Sequence, residues 1–177
     1  MRDIQLIAEY IGLSLLSKGL SVSPLKLQKI LYYVQSWYMV FFGRRHTLFA
    51  EVPQAWVNGP VYPCVYYKYR DCVPGMCDYL SLADFTTDEN VEEALEKVSR
   101  ALDFTADEQE LIESVITLYG AKTQNELILY THAEQPWAEQ REGLAPYQRS
   151  DRELSLDTMY AYYKARHDKN HRQHEVG

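Results

Sequence analysis

The sequence predicts a mainly α fold, a single compact helical domain with at most a small β-hairpin near residues 49–58. Three observations carry this. Apolar residues recur at spacings of three and four along most of the chain, residue pairs suited to capping helix N-termini precede several of these runs, and a strand-like pattern occurs only once. At 177 residues and 46% apolar composition, the chain is long enough to bury one core, and length favours one domain. Residues 1–167 are expected to form that domain, followed by a polar tail at 168–177.

Ile4, Ile7, Ala8, Ile11 and Leu15 share one face of a first helix that ends near Lys18-Gly19. Ser23 offers an N-cap oxygen and Pro24 a first helical residue with φ already fixed, opening a second helix to about Phe42. Its expected buried stripe is Leu27, Ile30, Leu31, Val34, Tyr38 and Phe41; Lys26, Lys29 and Tyr33 fall on another face, expected to be exposed. Residues 49–58 hold Val52, Ala55, Trp56 and Val57 around Pro53, which suits an edge strand or short hairpin. The turn Asn58-Gly59-Pro60 leads to a third helix from about Tyr62 or Pro63 to Asp71, and residues 72–87 read as irregular around Pro74-Gly75.

Helices follow at about 92–102 and 107–119. Thr105 with Glu108 and Thr123 with Glu126 match the capping box, in which a threonine oxygen and a glutamate satisfy free amides reciprocally. A short helix at about 124–131, a turn at 134–137 and a last helix at about 155–166 complete the order.

The longest apolar run, residues 30–42, contains Gln35 and Ser36 and is too short to span a bilayer, so no membrane partner is expected. The N-terminus does not read as a signal peptide, so a cytoplasmic protein is expected. Cys64, Cys72 and Cys77 form no metal-binding spacing and read as reduced thiols. The formal charge of −7 divides unevenly: residues 1–70 carry eight Lys/Arg against three acids, a net +5, and the rest carries −12. General nucleic-acid binding is disfavoured by this balance, although a local basic patch with Lys26, Lys29, Arg44 and Arg45 leaves a small DNA-binding regulator as a lesser alternative.

No phosphate-binding glycine loop, zinc-protease helix or nucleophile elbow is present. His132 and Glu134 offer a base and a carboxylate, the only handle for a small hydrolase. Two residues apart on a helix they point away from each other, with no nucleophile beside them, so a cap or buried hydrogen bond is the favoured role. His167, His171 and His174 would align on a continuing helix as a metal face; their terminal, charged context favours a frayed tail. No cofactor, metal or catalytic residue is expected. Tyrosine supplies 15 residues, and for Tyr33 and Tyr67 interface and core roles are equally compatible with the pattern.

Four blocks, residues 25–33, 55–63, 118–120 and 131–137 with Arg141, carry a resemblance over roughly 24–141. They include Leu27, Gln28, Leu31 and Tyr32; Trp56, Asn58, Gly59 and Pro60; and Thr131, His132, Glu134, Pro136 and Trp137. In this order the blocks resemble the Panacea-domain, SocA-like antitoxin family, formerly called phage-associated proteins. The resemblance implies a small helical cytoplasmic antitoxin that binds and neutralises a cognate protein toxin, expected to be encoded by the adjacent gene; delivery of that toxin to protease machinery is the alternative. It matches residues 72–102 poorly, and the DNA-binding segment that some relatives carry is not recognised. Candidate contacts are Lys26, Lys29, Tyr33, Arg44, Arg45, Tyr62, Tyr66 and Tyr67; the block residues are expected to set the fold.

Overall fold

The computed structural model describes residues 1–175. Among them are eight α-helices and one two-stranded antiparallel sheet: α1 (Ile4–Ser17), α2 (Pro24–Phe42), β1 (Gln54–Trp56), β2 (Gly59–Val61), α3 (Pro63–Tyr69), α4 (Val91–Leu102), α5 (Ala106–Gly120), α6 (Gln124–His132), α7 (Gln135–Ala138) and α8 (Leu156–Glu175). The mainly α expectation is met. The helix termini follow local chemistry. Asp3 accepts from the Gln5 amide and Ser23 from the Lys26 amide, while Thr105/Glu108 and Thr123/Glu126 both form complete capping boxes. α1 stops in a left-handed turn: Gly19 has φ +69°, its amide donates to Leu16 and the Leu20 amide to Leu15.

α2 is the axis of the fold. It packs against α1, α3, α5, α6, α8 and β2, and every residue from Pro24 to Ser36 is buried. A helix covered on all sides has no free face for its polar residues. The exposed face expected from Lys26, Lys29 and Tyr33 therefore does not exist: Lys29 and Tyr33 are 0% exposed and Lys26 is also buried. Periodicity located the apolar stripe of α2 as far as Tyr38, but Phe41, expected to be buried, is 56% exposed at the end of the helix, and the number of elements that would surround α2 was not legible. Among the helices packed on α2 are α1 and α5, whose Ile7, Ile11, Leu15, Ile112 and Ile116 are all buried.

The hairpin sits at residues 54–61, later than expected, with Gln54 paired to Val61 and Trp56 to Gly59. Pro60 is accommodated in β2 because its missing donor faces no further strand; the outer edge of β1 is instead covered by residues 152–154, with the Ala55 amide donating to Arg152 and the Leu154 amide to Pro53. The last helix also departs from expectation. It continues past Arg166 to Glu175, so residues 168–175 of the anticipated polar tail are helical, and the remaining two lie outside the described residues. Lys164 and Asp168, four apart, support this extension as an ion pair.

Gly59 has φ +105°, and a Cβ there would lie 2.7 Å from Thr131 Oγ1 and 2.8 Å from Lys29 Cε. Backbone strain and collision then act together. Gly59→Ala is expected to cost more than about 2 kcal/mol in urea unfolding, whereas Gly19→Ala, also at positive φ but with nothing within 4 Å, should cost about 1 kcal/mol.

Candidate functional site

The sequence blocks meet where α2, the hairpin and the α6–α7 corner converge. Gln28 Oε1 accepts from the Tyr62 amide at 2.8 Å, and Lys29 Nζ donates to the Pro60 carbonyl at 3.0 Å, so two polar residues of α2 hold β2 and the start of α3. Leu27 and Leu31 pack in the core beside them. From the other side, Trp137 Nε1 donates to the Trp56 carbonyl at 2.9 Å, and Arg141 Nη1 to the Ala55 carbonyl at 3.1 Å. The His132 ring stacks on Trp137 with centroids 4.0 Å apart. Thr131 is buried and donates back to the Leu127 carbonyl, Pro136 is buried, and Asn58 stands exposed at the turn.

Beside this staple lies a buried carboxylate. Glu134, at the N-terminal end of α7 and 2% exposed, accepts hydrogen bonds from Tyr163 at 2.6 Å, Tyr32 at 2.9 Å and Tyr33 at 3.3 Å, with Arg166 Nη1 at 3.9 Å. Burial pushes its carboxyl above the ordinary range, and the three hydroxyls and Arg166 oppose that shift. The phenols of Tyr32, Tyr33 and Tyr163 are in turn held well above their usual value, by burial first. Tyr33 is also stacked on Tyr119 at 3.7 Å. His132 does not join this group: Glu134 faces the tyrosines, while His132 faces Trp137 and its buried Nε2 has no partner. Burial, then Lys29, depress the His132 pKa. Lys29 itself is lowered to about 7 by burial.

The remaining candidate residues are dispersed. Arg44 and Arg45 are exposed at the end of α2, with Arg44 bound to Asp157 at 2.7 Å. Tyr62 is fully buried, which removes it from any contact surface. Tyr66 packs edge-on against Trp56 and Tyr67, and Tyr67, 57% exposed, carries the Arg70 guanidinium over its ring. These aromatics line a groove of about 680 Å³ with Arg149 and Asp151. A second groove, about 670 Å³, separates the C-terminal end of α2 from α5 and α8 and is floored by Trp37, Phe42 and Val115. Tyr163 and Arg166 were not among the sequence candidates; the Tyr160–Tyr163 cluster was the available signal for the first, and nothing local marked the second. The ring nitrogens of His167 and His171 approach to 3.0 Å, but no group of three metal-ligating side chains forms among the described residues, and the His174 side chain lies outside them. The three cysteines are free and exposed. No helix among the described residues is long and apolar enough to cross a membrane.

Residues 27–138, well over half of the chain, match the family model described as antitoxin SocA-like, Panacea domain. The chain belongs to this family. No curated protein and no solved structure matches it. The Panacea match begins in α2 and ends in α7, so it contains Lys29, the hairpin, His132 and Glu134, whereas Tyr163 and Arg166 are supplied by α8 beyond it.

Three unfolding measurements test this buried chemistry. The folded pKa of Lys29, about 7, lies below its ordinary 10.5, so between these values the unfolded chain holds a proton that the folded chain lacks. Stability contributed at this position rises with pH through that window, by up to about 1.4 kcal/mol per unit, and is pH-independent below it. Urea unfolding of wild type and Lys29→Met between about pH 7 and 9 should show their difference shifting towards wild type with that sign. Glu134→Ala leaves three buried hydroxyls without their acceptor and should cost about 3 to 5 kcal/mol. Tyr163→Phe, which leaves the carboxylate two tyrosine donors, should cost about 1 to 2 kcal/mol in the same assay.

Proposed function

We propose that this protein is a cytoplasmic antitoxin that neutralises a cognate protein toxin by binding it directly, without catalysing a reaction. The family match over residues 27–138 carries this reading. The disposition of the ionisable groups supports it. Lys29, His132 and Glu134, the groups in the family blocks most suited to acid–base work, all turn into the fold, where Lys29 and Glu134 make internal hydrogen bonds. A surface that binds another protein is the chemistry such a domain offers.

The toxin is taken to be the product of the adjacent gene. Expressing that gene alone should arrest growth, and coexpression of this chain should restore growth through a complex that copurifies at fixed stoichiometry. Rescue accompanied by loss of the toxin protein and no isolable complex would favour delivery to protease machinery instead. Rescue lost in His132→Ala with an unchanged melting temperature and unchanged complex formation would favour an enzyme.

A further inference from the structure

The groove between α2, α5 and α8 combines a largely apolar lining with exposed carboxylates along its α5 wall. Its walls include Phe41 and Leu118, each 56% exposed, together with Trp37 and Leu111. Large apolar side chains left this open at a concave site mark an interaction surface rather than core. Along α5 the acids divide by role. Glu108 accepts from Arg2 and Tyr38, and Glu113 from Tyr10, Ser14 and Lys18, so both are satisfied within the fold. Asp107 and Glu110, on the groove side, are exposed and have no hydrogen-bond or ion-pair partner among the described residues. Among the described residues no Lys or Arg lines this groove; its other titratable side chains are the His167 and His171 imidazoles on the α8 wall.

Charge complementarity therefore selects the occupant. A second copy of this chain, itself at −7, would bring to an isologous contact the same patch, with its own carboxylates and no Lys or Arg to pair with Asp107 and Glu110. Nucleic acid is opposed by the same carboxylates. Glu110 and Leu118 are eight residues apart on a straight helix, a rise of about 12 Å, so charge and apolar anchor points are separated by roughly two turns. We propose that this groove docks a short amphipathic helix of a cationic protein partner, with its apolar side chains between Trp37, Phe41 and Leu118 and its Lys or Arg side chains against Asp107 and Glu110. The inference rests on the toxin-binding reading in identifying that helix with part of the toxin.

Two fluorescein-labelled helical peptides of about 16 residues test it by anisotropy against the full chain. They share Leu at helical spacing and carry either Lys or Glu on the flanking positions. The Lys peptide should bind at least about tenfold more tightly than the Glu peptide, and Leu118→Asp should weaken it about tenfold. Asp107→Lys with Glu110→Lys should reverse the preference, while Tyr67→Asp, in the other groove, should leave it unchanged. These are exposed positions, and an unchanged melting temperature verifies each fold. Equal binding of the two peptides, no effect of Leu118→Asp, or Leu118-dependent dimers of the wild type in sedimentation would overturn the proposal. In cells, Leu118→Asp should lose rescue that the wild type provides; full rescue by this variant would exclude the groove as the toxin site and leave the antitoxin reading intact. Failure of the wild type itself to rescue would reject that reading, and the peptide measurements would still decide the groove.

Discussion

The Glu134 carboxylate fixes how the last helix meets the central one. Two of its donors, Tyr32 and Tyr33, stand on α2, the third, Tyr163, on α8, and the acceptor itself on the corner between α6 and α7. Removing a carboxylate from water costs several kcal/mol, and a partly satisfied one is worse than an apolar contact. The arrangement is tolerated only when all three elements supply their groups together. It therefore specifies one docking of α8 on α2, more than it adds net stability, since an apolar core of similar volume would satisfy the hydrophobic requirement equally.

A second carboxylate ties other elements to α2 further along the helix, at Tyr38. Glu108 closes the capping box of α5 through the Thr105 amide and also accepts from Tyr38 of α2 and from Arg2, whose guanidinium donates to the Leu102 and Asp103 carbonyls at the C-terminal end of α4. One glutamate thus couples a local helix start to the meeting of α2, α4 and α5. Burial of α2 and its polar residues are compatible because each buried polar end has a named acceptor or donor: Lys29 the Pro60 carbonyl, Gln35 the Phe49 carbonyl and Leu48 amide, Ser36 the Tyr32 carbonyl.

Local signals were well preserved in the sequence. The two threonine–glutamate capping boxes, the Ser23-Pro24 start of α2 and the Gly19 stop of α1 each depend on residues within a few positions of one another, and each forms as those residues dictate. What the sequence concealed was the number of neighbours around a helix. Lys26 and Lys29 look like solvated charges by type and spacing, yet Lys29 is enclosed because α2 is surrounded, and its amine keeps a single carbonyl partner. Glu134 and Tyr163 are separated by 29 positions, and no periodic pattern links residues that far apart. The extension of α8 was hidden differently: its polar composition gives no apolar stripe, and its helix is supported instead by a charge pair four residues apart.

The placement of the family blocks bears on what family membership can encode. Gly59 is fixed by the close approach of Lys29 and Thr131, Trp137 by its bond to the Trp56 carbonyl, and Glu134 by its tyrosines, so most of these residues are committed to holding α2, the hairpin and the α6–α7 corner together. A signature spent on internal contacts identifies the scaffold and constrains partner choice only weakly. In the proposed binding mode recognition falls to side chains that the scaffold leaves outside, such as Phe41, Leu118, Asp107 and Glu110, none of which makes a hydrogen bond to the fold through its side chain among the described residues. These positions can vary without disturbing the buried carboxylates, and α8, which closes one side of the groove through His167 and His171, lies beyond the matched region altogether. Under the proposed docking the same division would let one helical frame accept different partners: changes in the groove would alter affinity, while changes at Lys29, Gly59 or Glu134 would alter whether the frame forms.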